Sequence, residues 1–217
     1  MPDLNGVLVK RRMHFLGRRI RWGGVGGLWH LRLWRHGRGQ CEQRWMDEHI
    51  VVEGGVARSK IIIDDINLNS LTWWTRKHNW YASLEAIETL LKDVSRADQN
   101  AHCQAKLSLQ AAIKRWLKHA IYLRLPLGTR AALYFIYRYV LLLGFLDGRE
   151  GYYFHYLQGY WYRTLVDAKI NEIQAVSRRD GVSLSQAILD CTGIEIAANE
   201  AYALDVLDAK KLMVRKP

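Results

Sequence analysis

The chain has 217 residues, enough for one ordinary domain or one compact unit with helical extensions, and its 49% hydrophobic and 24% charged residues exclude wholesale disorder. Its formal charge of +11 is unevenly placed: nine Lys or Arg residues and no acid fall between Leu4 and Cys41, a strip suited to phosphate, nucleic acid or an anionic membrane as well as to a plain solvated face. Nine Trp and eleven Tyr stand against three Pro, and only Pro126 lies away from the termini, so long helices are permitted.

The opening Met1 to Gly39, rich in Gly, Arg and Trp, has no clean period and reads as an interior segment without its upstream neighbour. Ile50-Val51-Val52, a Gly-containing turn at Glu53-Gly54-Gly55 and a run ending in Ile61-Ile62-Ile63 predict a small hairpin whose second strand stops at Asp64 and Asp65. From a cap at Asn69 or Ser70, the spacing of Leu71, Trp74, His78, Tyr81, Ala82 and Glu85 predicts a helix to about Lys92. Val94 to Gln104 reads as a polar link, Ala111 to Leu123 as a helix, and Pro126 with Gly128 as punctuation. Thr129 caps a helix from Arg130 to about Phe145, Asp147-Gly148 makes a turn, and a long helix follows from about Tyr152 to Arg178. Ser183 starts a short helix that ends at Gly193, and one more amphipathic helix begins at Ala197.

Cys41, Cys103 and Cys191 are odd in number and match no metal spacing, which reads as reduced thiols in a cytosolic compartment. The first residues lack the apolar run of a signal peptide. The most apolar stretch, Val140 to Leu146, is far short of the roughly 20 residues that cross a bilayer, so membrane association is expected along the surface.

Four segments carry a resemblance. They are Gln43-Arg44-Trp45-Met46-Asp47-Glu48-His49, the run from Leu71 to Ala82 (Leu-Thr-Trp-Trp-Thr-Arg-Lys-His-Asn-Trp-Tyr-Ala), Arg124-Leu125-Pro126, and Phe145-Leu146-Asp147-Gly148-Arg149-Glu150-Gly151. Together they resemble bacterial family 2 glycosyltransferases of lipopolysaccharide and exopolysaccharide assembly, over nearly the whole chain up to about Ile196. The resemblance implies a GT-A fold and inverting transfer of a sugar from a nucleotide diphosphate donor to a lipid-linked or saccharide acceptor. It makes Asp47 and Glu48 the candidate catalytic pair, because the acceptor hydroxyl must lose its proton to a base as it attacks. Read without the family, they are an exposed acidic pair at a strand end. Lys77 and His78, with Arg76, match a basic helical turn near the departing diphosphate, and otherwise read as a surface Lys and a packing His. Trp73, Trp74, Trp80 and Tyr81 are candidate acceptor-binding rings, or core.

The aromatic-dense stretch from Tyr134 to Tyr162 is interspersed with Arg130, Arg138, Arg149 and Arg163. Arg130, Arg138, Tyr153 and Trp161 are expected at a membrane interface, where a lipid-linked acceptor would lie; an aromatic core or an oligomer interface is the rival reading.

The expected fold class is therefore mainly α with a small β hairpin: a truncated remnant of a GT-A α/β catalytic domain (1–68), a helical membrane-facing region (69–196) and a helical tail (197–217). The family's nucleotide-binding strands and Asp-x-Asp-type ligands are not matched before Asp47, since the upstream acids Asp3 and Glu42 form no such motif. The divalent Mg or Mn of the intact family is thus expected to lack its ligands here. An opened parallel sheet should also bare a pairing edge and apolar surface. The expected partners are a nucleotide sugar, its acceptor and an anionic membrane, with no nucleic acid. The expected location is the cytoplasm, peripheral on the inner face of the bacterial plasma membrane. The alternative is a non-catalytic membrane-surface or protein-interaction module.

Overall fold

The computed structural model describes residues 4–41, 45, 49–98 and 129–214, with the side chains of 93–98 and 207–214 excepted. It is mainly helical with a small sheet. Two compact units divide it: Met1–His78 with Ala131–Arg163, and Asn79–Arg130 with Thr164–Pro217.

In the first unit, β1 (Leu4–Phe15) is the central strand. Along one edge it pairs antiparallel with β2 (Arg18–Ile20) and β3 (Leu28–Trp34), and along the other it pairs parallel with β6 (Gly55–Ile66). The short strands β4 (Gly39–Cys41) and β5 (Ile50–Val52) make a separate antiparallel pair. The opening segment is thus strand-rich although its sequence shows no clean period. The ladder shifts register between Val7 and Leu8 against β3, and between Leu8 and Lys10 against β6. Each irregularity flips the alternation of faces and erases the two-residue signature.

The expected hairpin is corrected. β5 and β6 both form, but they do not pair with each other. The main chain of Glu53 explains the split, because its N–H donates to Arg38 O (3.4 Å) while its carbonyl accepts from Asn5 Nδ2 (2.7 Å). The turn is therefore held from both sides, and the strands part into different sheets. Nor do Asp64 and Asp65 end β6, which runs on to Ile66. Asp65 pairs with Arg11 (3.6 Å) and Asp64 with His14 (3.7 Å), so cross-strand charges on β1 carry the acids within the strand. Among the described residues, the outer edge of β6 pairs with no other strand, and Val56, Ile61, Ile62, Ile63 and Ile66 are exposed along it.

α1 (Leu71–Asp98) starts where the sequence places it: Ser70 Oγ accepts from Trp73 N (3.2 Å) and Ser70 O from Trp74 N (3.0 Å). It runs through the first part of the expected polar link, whose remainder lies outside the described residues, as do the expected helix Ala111 to Leu123 and the Pro126 and Gly128 punctuation. α2 (Thr129–Ile136) passes into a π-helical turn, Tyr137–Leu141, and stops. Leu143 takes a left-handed conformation (φ 58°), and a 3₁₀ turn, Gly144–Asp147, follows. The expected helix to Phe145 is therefore broken. The next helix begins earlier than expected: α3 (Gly148–His155) continues through a π-helical stretch, Tyr156–Trp161, into α4 (Tyr162–Asp180).

The core of the first unit is aromatic. Phe15, Ile20, Trp74 and Phe154 are buried together, with Met13, Val25, Leu157 and Trp161 packed against them. In the second unit Ala82, Ala86, Ile87, Ile173, Ala187 and Ile188 are buried without residue. α5 (Leu184–Thr192) is capped by Ser183 Oγ, which accepts from Gln186 N (3.2 Å), and ends at Gly193 in the left-handed conformation, as its sequence requires. It packs on α6 (Ala198–Val214), where Asp205 accepts from Ser185 N (3.0 Å) and Ser185 Oγ (2.7 Å).

One glycine carries the packing of the first unit. Gly23 (φ 71°) lies against the His155 ring, and a Cβ there would collide with it, whereas Gly17 (φ 79°) has nothing within 4 Å of the same position. Gly17→Ala should cost only the left-handed strain of about 1–2 kcal/mol. Gly23→Ala should cost that plus overpacking, about 2–5 kcal/mol in all, read as a larger fall in the urea midpoint.

Candidate functional site

The described residues nearest a site are two clusters within the first unit. The first gathers around Trp74. Its indole stacks on the His78 ring (3.5 Å, 23°) and meets Phe15 edge-on (5.7 Å) and Trp161 at a tilt (6.4 Å). His78 also meets Tyr162 edge-on (5.8 Å). The carbonyl of Trp74 lies 2.8 Å from His78 Nδ1, and a carbonyl only accepts, so Nδ1 carries the proton. Burial lowers the His78 pKa, with the neighbouring Lys77 adding to the fall and the bond to Trp74 opposing it. His78 is thus a neutral imidazole at pH 7.

Helical spacing sorts the motif. Trp74, His78 and Ala82, four residues apart, face inward, whereas Trp73 is exposed and carries Lys77 Nζ over its ring (5.0 Å). Trp80 is half exposed and Tyr81 is partly buried. Trp74, expected as a candidate acceptor ring, is therefore a core residue, for the packing reason just given. Trp73 and Trp80 keep the exposure that a platform needs.

The second cluster joins the β2–β3 loop to the helix break. Asp147, buried, accepts from the main-chain N–H of Arg21 (3.0 and 3.1 Å to its two oxygens) and of Trp22 (2.8 Å). Arg138, also buried, donates through Nε to Gly23 O (3.1 Å), and its guanidinium lies over the rings of Tyr134 (5.5 Å) and Phe154 (5.6 Å). Gly23 N donates to Leu142 O (2.9 Å). His155 is fully buried between Gly23 and Gly144, and neither ring nitrogen has a hydrogen-bond partner. Burial, reinforced by the Arg138 charge, lowers its pKa to about 4, and burial likewise pulls the Arg138 guanidinium below its ordinary value.

Two expected membrane-interface residues are corrected by this geometry. Arg138 is held inside by Gly23 O and two aromatic faces. In the second unit, Arg130 forms a forked pair with the buried Asp167, whose carboxylate could not stay charged there without a counter-ion. Trp161 is half-buried against Trp74, and Tyr153 is exposed. Sequence reading missed the carboxylate role of Asp147, which appeared only as a turn residue beside Gly148, and the burial of His155; the lone acid and lone histidine within an aromatic run were the available signals.

Asp47 and Glu48 lie outside the described residues; of that motif, Trp45 is partly buried and His49 exposed. Among the described residues no group of three or more His, Cys, Asp or Glu converges on a point that could hold a metal, so the set present does not fit one and no step is routed through it. Cys41 is an exposed free thiol, and Cys191 is a partly buried one whose pKa burial raises; Cys103 lies outside the described residues. No protein-family model, no curated protein and no solved structure matches the chain.

The buried histidine sets a pH dependence. Its folded pKa, about 4, lies below the ordinary 6.5, so the unfolded chain binds the proton more readily and stability falls as pH drops from 6.5 towards 4. At about 1.4 kcal/mol per unit, the loss across that window is about 2–3 kcal/mol. His155→Leu should flatten this slope in urea midpoints measured between pH 7 and pH 4, while leaving the slopes due to carboxylates in place.

Proposed function

We propose that this chain carries the acceptor-side and membrane-facing part of an inverting family 2 glycosyltransferase of GT-A descent, acting on a lipid-linked or saccharide acceptor in cell-surface polysaccharide assembly. The single observation that supports it most is the meeting of resembling segments in one compact unit: the Trp74 and His78 turn of α1 packs in the aromatic core with Phe154, while Asp147 of the second segment fastens the β2–β3 loop to the same unit. Separated by more than sixty positions in sequence, these segments have no reason to share a core unless they serve one structure. In this reading Asp47 or Glu48 takes the acceptor proton, Arg76 and Lys77 face the charge that builds on the departing diphosphate, and the exposed rings of Trp73 and Trp80 receive the apolar side of a sugar. The nucleotide sugar, and a divalent metal with it, would be held by a donor-binding half.

A second reading, a non-catalytic module on an anionic membrane, draws on a different observation. Leu133, Ile136, Tyr137, Val140, Leu141 and Tyr153 are all exposed on one helical stretch and its partner. No single helix is long and apolar enough to cross a membrane, but the bent pair Thr129–Leu141 and Gly144–Asp180 passes by length and composition, with a 71° bend. Both readings place the chain at the inner face of a bacterial plasma membrane, peripherally attached.

Catalysis separates them. In a polypeptide that joins this chain to a donor-binding half, Asp47→Asn or Glu48→Gln should lower turnover about 10²–10⁴-fold with fold and donor binding intact, measured as nucleoside diphosphate released. Wild-type rates in both variants would remove the base from this pair and leave the module reading in possession.

A further inference from the structure

We infer that the helix break at residues 141–146, together with Trp22 of the β2–β3 loop, is a wedge that enters the headgroup and acyl boundary of an anionic phospholipid bilayer. The inference rests on the membrane reading above and goes beyond it by naming the inserting element.

The break is apolar at its tip. Leu141 is 68% exposed, and Leu143, Phe145 and Leu146 are also exposed, with no ionisable side chain except Tyr139 between Arg138 and Asp147. Exposed leucines at a chain reversal are ordinarily a poor solution in water, because loops there carry polar residues that satisfy the main chain. Here the main chain is satisfied internally. Leu142 N donates to Tyr137 O (2.9 Å), Leu143 N to Val140 O (3.1 Å) and Leu146 N to Leu143 O (3.0 Å), while Leu142 O accepts from Gly23 N (2.9 Å). Main chain can enter hydrocarbon only when its polar groups are paired in this way, and a protein-binding loop has no such requirement.

The surroundings match a bilayer from the tip outward. Trp22, exposed, is tied beside the break because its own N–H is held by Asp147 and the next residue's N–H by Leu142. Tyr152, Tyr153 and Tyr156 are exposed on the following turns, and rings with a polar edge favour the headgroup layer. Beyond them lie the cations. The Arg18 guanidinium sits by Gly148, and Arg149 is the more exposed of the two; both approach Glu150, at 3.7 and 3.5 Å, so the local balance remains positive. An apolar tip, an aromatic belt and an arginine rim are the layers of an anionic membrane surface in order. The wedge is short and does not span the bilayer.

Flotation with vesicles of phosphatidylglycerol and phosphatidylcholine tests this. The double variant Leu141→Ser with Phe145→Ser should float about tenfold less, because it removes apolar area that only the bilayer covers. Arg18→Gln with Arg149→Gln should lose about tenfold in binding to anionic vesicles at low salt, with little change on pure phosphatidylcholine. Ile61→Ser with Ile63→Ser, on the exposed edge strand, should float like the wild type, and Leu141→Met with Phe145→Leu should retain binding. Circular dichroism identical to wild type shows that each variant is folded, as expected for exposed positions. If the wild type floats and the tip variant floats equally well, the wedge is overturned and peripheral attachment stands. If the wild type does not float at all, both fail. If the tip variant instead converts a dimer to a monomer with flotation unchanged, the patch belongs to a second copy of the chain and the wedge is again overturned.

Discussion

The arrangement of the first unit depends on a carboxylate placed where water cannot reach it. Asp147 receives three main-chain hydrogen bonds from Arg21 and Trp22, each a charge-assisted bond of about 1.5–3 kcal/mol, and these offset the loss of its hydration. The bonds come from a loop rather than a helix, so the loop gives up its freedom to supply them. A glycine-rich connection that would otherwise be mobile becomes the floor on which the helix break is built. The break in turn has one stable geometry, because Gly23 N and Leu142 O complete each other's pairing.

Arg138 and His155 show the cost of that closeness. An arginine buried beside a histidine would repel its protonated form, and the structure resolves this by keeping the imidazole neutral and covering the guanidinium with Tyr134 and Phe154. The cation contributes because Gly23 O accepts from it, and no acid is placed against it. Charge, aromatic face and carbonyl therefore do together what an ion pair does for Arg130 and Asp167 in the second unit. Two arginines of the same sequence stretch thus reach opposite solutions to burial.

Much of the helical scaffold was legible because its signals are local. Ser70, Thr129 and Ser183 open helices and Gly193 closes one within a few residues of the places where those residue types predict it. The strands were legible only in part. β5 and β6 were visible as apolar runs, but their partners were chosen by Glu53, Arg11 and His14, whose bonds reach across dozens of residues. β1 was hidden by its own register shifts. The helix break was hidden for another reason, since Leu141 to Leu143 continue an apolar helical pattern and contain neither Pro nor Gly. What stops the helix there is the contact with Gly23, and no window of sequence around Leu143 contains that information. The same holds for the site: residue types within a motif were readable, but which of Trp73 and Trp74 faces inward was fixed by Phe15 and Phe154, which lie outside it.

That division constrains the chemistry available to the α1 motif. A residue stacked on Trp74, edge-on to Tyr162 and held neutral by burial cannot supply positive charge to a diphosphate, so His78 orders the helical turn instead. Any positive charge from this turn must come from Arg76, which is exposed, and Lys77, whose ammonium already rests over Trp73. Resting on a ring keeps the Lys77 stem ordered without neutralising its charge, so an anion meets a cation whose freedom is already reduced. The buried rings thus matter to binding through the outward residues they hold in place. A substitution at Trp74 would act first on packing and only through packing on recognition, whereas one at Trp73 would act on the lysine directly.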